Sequence, residues 1–205
     1  MMALFISVFA VGALHALAPD HWLPFVMISK AEAWSHRRLA WWVFLAGLAH
    51  VTAAFLIGLG GIFLGITFNQ ITHLENIRGG LFSFMLIGFG LTYVIWALKQ
   101  TRPDRFVTKD QSRSLAGRLL LAFMVLGPCE PLIPFLFLGS FHGWIKMTAL
   151  FFVFLSATVG TMLVTTQCIA GGLSLRRVPW MERFSHVFAG LGIAATGIFV
   201  RFLGS

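Results

Sequence analysis

The chain has 205 residues, of which 58% are hydrophobic and only 11% charged, with a formal net charge of +8 and a mean hydropathy of +0.87. Globular domains carry about 25% charged residues, so a water-soluble fold is excluded and lipid is the solvent this surface suits. Nucleic acid is not implied by the charge, because Lys and Arg collect between apolar runs, the pattern that orients membrane proteins.

Apolar runs of about 18 residues or more mark spanning helices, and six follow in chain order: 3–29, 39–66, 79–98, 115–141, 145–171 and 184–203. The expected fold class is all-α, a polytopic membrane protein. Of the 15 Lys and Arg, Lys30, Arg37 and Arg38 fall in the first loop. Lys99, Arg102, Arg105, Lys109, Arg113 and Arg118 lie in or beside the third, and Arg176, Arg177 and Arg183 in the fifth. Only Arg78, Lys146 and Arg201 stand on the other side. The odd loops are therefore expected in the cytoplasm and both termini outside it, in a bacterial cytoplasmic (inner) membrane. The "ALA" at 16–18 resembles a leader cleavage site, but no Lys or Arg precedes it, a proline follows, and the apolar run continues, so cleavage is not expected. Cys129 and Cys168 both lie at membrane depth and make no disulfide framework.

The polar segment 99–114, "KQTRPDRFVTKDQSRS", divides a single transmembrane domain (1–205) into halves 1–98 and 115–205, and reads as a solvated cytoplasmic connector and hinge. At an offset of 110, "APDHWLPF" (18–25) falls on "PCEPLIPF" (128–135), pairing Asp20 with Glu130, Pro24 with Pro134 and Phe25 with Phe135. Three crossings per half is an odd number, so the second half must enter from the opposite side. Inverted repeats of this kind are characteristic of transporters.

The first and fourth runs each carry prolines near their middles. A proline removes the hydrogen bond to the carbonyl four residues earlier, so Pro19 frees that of His15, Pro24 that of Asp20 and Pro134 that of Glu130. In hydrocarbon a freed carbonyl costs several kcal/mol, which favours breaks where protein, water or a cation supplies the partner. On an unbroken helix, turning about 100° per residue, Asp20 and His21 would point roughly 140° and 120° away from His15. Unwinding around Pro19 lets two imidazoles and a carboxylate converge. Nitrogen and oxygen donors of this kind suit nickel, cobalt or zinc.

His50, in "GLAH" on the second run, is a further imidazole at similar depth; it reads equally as a ligand or as a hydrogen-bonding partner of a neighbouring helix. A carboxylate at this depth is costly, which gives Asp20 a functional reading. Cys129 and Glu130 in the second break are additional ligand or proton-carrier candidates, although packing accounts equally well for the cysteine. His36, His73, His142 and His186 fall in loops or at run ends and read as solvated. Met162, Thr165 and Thr166 read as packing residues of the fifth run.

The spacing H-x4-D-H of His15, Asp20 and His21 resembles the signature of the nickel/cobalt transporter superfamily. "GLAH" ending at His50 resembles its second histidine motif. The six-run length and the "GPCEPLIP" break are similar to the smaller NicO and UreH-type members of the LysE-like group. The resemblance implies a permease for a divalent transition metal, nickel or cobalt before zinc, with His15, Asp20, His21 and His50 as ligands. It implies no permanently bound cofactor and no enzyme activity.

Other readings remain open. His15-x4-Asp20 is also a glycerolipid acyltransferase pattern, with histidine as base, but the basic phosphate-binding neighbours are missing and the depth is wrong. The cargo could instead be a small organic solute. The chain could also serve as a membrane partner of metalloenzyme (urease-type) maturation proteins.

Overall fold

The computed structural model describes residues 2–65, 68–99, 109–127, 129, 131–172 and 179–203. It is all-helical, with eight helices and no strand among the described residues: α1 Met2–Ala16, α2 Pro19–Ala31, α3 His36–Phe63, α4 Phe68–Lys99, α5 Lys109–Leu126, α6 Leu132–Ser140, α7 Trp144–Gly172 and α8 Pro179–Leu203. Among the described residues, three segments are long and apolar enough to cross a membrane: His36–Phe63, Gly80–Lys99 and Trp144–Gly172. The α1–α2 pair makes a fourth if its two pieces, bent by 43°, count as one span. In α5 and α8 the apolar stretches are shorter, Gly117–Leu126 and Val187–Phe199. These helices make the chain a membrane protein.

The first break sits where the local chemistry puts it. Pro19 pushes the residue before it out of the helical region, and Ala18 is extended at φ −60° and ψ 138°. Pro19 then opens α2 at a position where its missing N–H costs nothing. The carbonyl of His15 is not left bare as the proline spacing suggested, because the Ala18 N–H donates to it at 3.1 Å. The neighbouring Leu17 carbonyl accepts from the Trp22 indole at 2.9 Å. Pro24 differs from expectation too: α2 runs through it unbroken. Pro134 lies in the first turn of α6, where helical N–H groups have no intrahelical partner in any case.

The loops are shorter than the apolar runs indicated. Helix α4 begins at Phe68, so His73 is an exposed residue of a helix rather than of a loop, and α5 already begins at Lys109 inside the polar connector. Between α2 and α3 the chain turns through Ala33 in the left-handed region, φ 50°. Trp34 N–H donates to the Ser29 carbonyl and Ala33 N–H to that of Lys30, the paired closure that normally recruits glycine. Ser35 caps α3 by accepting from the Arg38 N–H. Gly143, at φ 92°, makes the turn from α6 into α7.

Between helices in lipid there is little hydrophobic driving force, so close packing of small residues holds them together. Helices α4 and α8 meet backbone to backbone: a Cβ on Gly190 would fall 2.7 Å from the Gly90 carbonyl, and one on Gly197 would fall 2.8 Å from the Ser83 carbonyl. The pairing of 83 with 197 and of 90 with 190 makes the two helices antiparallel. Helices α3 and α7 are antiparallel as well. Their contacts run from His36 with Gln167, through Gly47 against Val159 and Met162 and Phe55 on Phe151, to Phe63 on Trp144.

Adding 110 to the bounds of the first three helices gives 112–126, 129–141 and 146–173, and to the start of the fourth gives 178. The second four helices follow that order closely. Among the described residues, two apolar clusters fill the interior. One joins Phe25, Ile28, Val43, Leu86, Met124 and Met162; the other joins Val8, Val51, Cys129, Leu136, Leu150 and Phe154. Outward, α4 shows Leu81, Phe84, Leu91 and Ile95, an apolar stripe suited to acyl chains.

Candidate metal centre

His15 lies in the last turn of α1, Asp20 and His21 in the first turn of α2, and His50 midway along α3. The bend after Ala16 turns His15 and His21 toward one another. The His15 and His21 rings have centroids 4.3 Å apart, edge to face, and His50 lies 5.9 Å from the first and 5.1 Å from the second. His21 Nε2 is 3.4 Å from His50 Nε2. His21 and His50 are each 1% exposed, so this pair of facing nitrogens is closed off from solvent and lipid.

Cys129, fully buried between α5 and α6, enters from the far side of the chain. One ligand atom from each of His15, His50 and Cys129 lies within 4.8 Å of the other two. His21 is not one of these three and meets them through His50. Asp20 does not join the group either. It stands behind His21, with Oδ1 3.1 Å from Nδ1. The contact is close enough for electrostatic attraction but is not aligned as a hydrogen bond, and Nδ1 has no hydrogen-bond partner among the described residues. Glu130 lies outside the described residues, as does the side chain of His186.

The proton on His50 is assigned by its neighbour. A carbonyl oxygen only accepts, so Nδ1 donates to the Met124 carbonyl at 2.8 Å, leaving the Nε2 lone pair facing His21. His15 Nε2 is likewise buried with no hydrogen-bond partner among the described residues. Buried polar atoms are nearly always satisfied, so an orphaned imidazole nitrogen within a cluster of soft and borderline donors fits a cation. Imidazoles held by an outer acceptor and presenting the other nitrogen inward are the usual arrangement around a metal.

Three contributors were not found from the sequence. The Met124 carbonyl is a backbone atom, visible only once α5 is packed on α3. Arg78, counted above as an outside loop charge, extends to the end of α5: its Nε donates to the Leu126 carbonyl at 2.9 Å, and its Nη2 donates to those of Val125 at 3.3 Å and Gly127. A guanidinium there satisfies carbonyls that the broken helix cannot and lies at the negative end of its dipole. Trp22 performs the corresponding service at the first break. Its only clue was an indole beside two prolines.

Of the histidines read as solvated, His36 and His142 are exposed but partnered. His36 Nδ1 is 2.8 Å from Gln167 Oε1, and His142 Nδ1 is 2.9 Å from the Leu138 carbonyl. Met162 and Thr166 are buried, and the Thr166 hydroxyl donates to the Met162 carbonyl.

Compared with protein families, curated proteins and solved structures, the chain matches none. The class rests on its own features: an all-helical membrane protein with a buried imidazole and thiol cluster at a helix break.

Proposed function

We propose that this chain is a membrane permease moving a divalent transition-metal ion, nickel or cobalt before zinc, of the NicO/UreH type within the nickel/cobalt transporter superfamily. The observation that carries the reading is that His15, His50 and Cys129, from α1, α3 and the α5–α6 gap, each bring a ligand atom within 4.8 Å of the other two, with His21 of α2 facing His50 Nε2 at 3.4 Å. Ionisable groups gathered inside a membrane mark ion pathways, and His15 Nε2 is buried there with no hydrogen-bond partner among the described residues.

Six crossings are proposed, with α1–α2 and α5–α6 as broken spans and two inverted halves on either side of the 99–114 connector. The matched order of helices, the proline-bearing breaks in both halves, and the antiparallel α3–α7 and α4–α8 pairs support this arrangement. In the mechanism, one half rocks against the other and exposes the ion to each side in turn. Neutral imidazoles bind the ion and protonated ones release it, so a proton gradient is a natural drive. Flux indifferent to an imposed gradient would remove that coupling.

The test uses purified protein in liposomes containing a metal-sensitive dye. Nickel or cobalt entry is expected from wild type and not from His21→Ala or His50→Ala. Absence of flux from folded protein would favour a metalloenzyme-maturation partner instead. Flux of an organic solute with no metal movement would favour an exporter. For the proposed inner-membrane orientation, a tag placed in 99–114 is expected to resist labelling from outside intact bacterial cells; outside labelling would reverse the sidedness.

A further inference from the structure

We infer that Cys129 is a thiolate ligand, the fourth donor beside His15, His21 and His50, and that the site takes a four-coordinate ion, zinc(II) or cobalt(II), over nickel(II). The inference rests on the metal-site reading above and changes its order of metals, placing zinc and cobalt ahead of nickel.

Geometry separates Cys129 from Asp20, the carboxylate that the sequence placed among the ligands. The cysteine has a ligand atom within 4.8 Å of those of both His15 and His50, whereas Asp20 contacts the outer nitrogen of His21. The mutually close group is two imidazoles and one thiol; His21, whose Nε2 stands 3.4 Å from that of His50, is the neighbour that would supply a third nitrogen, with the carboxylate against its outer side. Two imidazole nitrogens bound at about 2.0 Å to a tetrahedral ion stand roughly 3.3 Å apart. The His21 and His50 Nε2 atoms are 3.4 Å apart. Sulfur and imidazole donors in a tetrahedron suit zinc, while nickel(II) favours square-planar or six-coordinate surroundings.

The step is simple in its balance. The Cys129 thiol passes its proton to a water that the incoming hydrated ion sheds, and the proton leaves with that water when the ion enters; the resulting thiolate forms a sulfur–metal bond and no electron is transferred. Three donors belong to residues 1–98 and the sulfur to residues 115–205, so separation of the halves would draw the sulfur off the ion and leave three imidazoles holding it. Cys129 is thereby the ligand whose loss opens the site.

The test is cobalt(II) binding to the full chain in detergent micelles. Wild type is expected to show the intense visible bands of four-coordinate cobalt with a near-ultraviolet sulfur-to-cobalt charge-transfer band. Cys129→Ser should lose the charge-transfer band, and Cys168→Ser, at an exposed position, should keep it. Bound cobalt that depends on His50 but shows only weak six-coordinate bands would overturn the thiolate inference and leave the metal site standing. No cobalt bound by wild type, or binding indifferent to His50→Ala, would overturn both. Competition on wild type gives an independent answer should Cys129→Ser fail to fold. At unconstrained sites nickel outcompetes cobalt, so retention of cobalt against equal nickel, with displacement by zinc, is expected; displacement by nickel would overturn the preference.

Discussion

His50 faces His21 across 3.4 Å with its Nε2, while its Nδ1–H is held by the Met124 carbonyl at 2.8 Å. The backbone of α5 thus fixes the tautomer of a residue on α3 and points its lone pair at the imidazole of α2. An arrangement of this kind limits the rotational freedom a ligand must lose on binding.

Asp20 is expected to act through His21. Asp20→Asn keeps the shape and removes the charge behind Nδ1, and loss of an outer partner of this kind lowers metal affinity by roughly 10–100-fold. Competition with a chelator of known affinity measures it. Unchanged affinity would show that the 3.1 Å contact does not orient the ring.

Arg78 is expected to hold the end of α5 beside Cys129. Arg78→Gln leaves the Val125, Leu126 and Gly127 carbonyls short of a donor, at a cost of about 1–3 kcal/mol. Arg78→Lys should recover only part of this, because an ammonium lacks the planar fork. Thermal unfolding in detergent reads both variants, and equal stability of all three proteins would dismiss the clamp.

Ala33 occupies a left-handed position, φ 50°, where a side chain costs roughly 1–2 kcal/mol. Ala33→Gly is expected to raise stability by about 1 kcal/mol. A lower unfolding temperature would contradict the assigned turn.

Gly190→Val places carbon against the Gly90 carbonyl and the Val94 N–H, at 2.7 and 2.9 Å for the Cβ alone. Because backbones cannot yield as side chains do, monodisperse folded protein should be lost. Gly88→Val, on α4 with nothing within 4 Å of its Cβ, should behave as wild type. Similar yields of the two variants would refute the close α4–α8 contact.

Much of this architecture is legible locally. Pro19 dictates an extended residue before it, so the chain must break near Ala18, and His15, Asp20 and His21 are close in sequence on either side of that break. Pro24 misled for a physical reason: a helix with tertiary support tolerates one missing bond. The start of α4 at Phe68 was hidden because polar helical turns near a membrane surface look like loop in an apolar count. Arg78 was hidden because its charge counts the same in a loop as on a helix end.

By itself the sequence determined the solvent, the helical class and the first break, since each depends on composition or on neighbours a few residues away. Tertiary structure decided that His50 and Cys129 reach that break while Asp20 turns to its outer side. Those outcomes depend on how α3, α5 and α6 pack across more than a hundred residues of chain, and short-range chemistry carries no record of such distances.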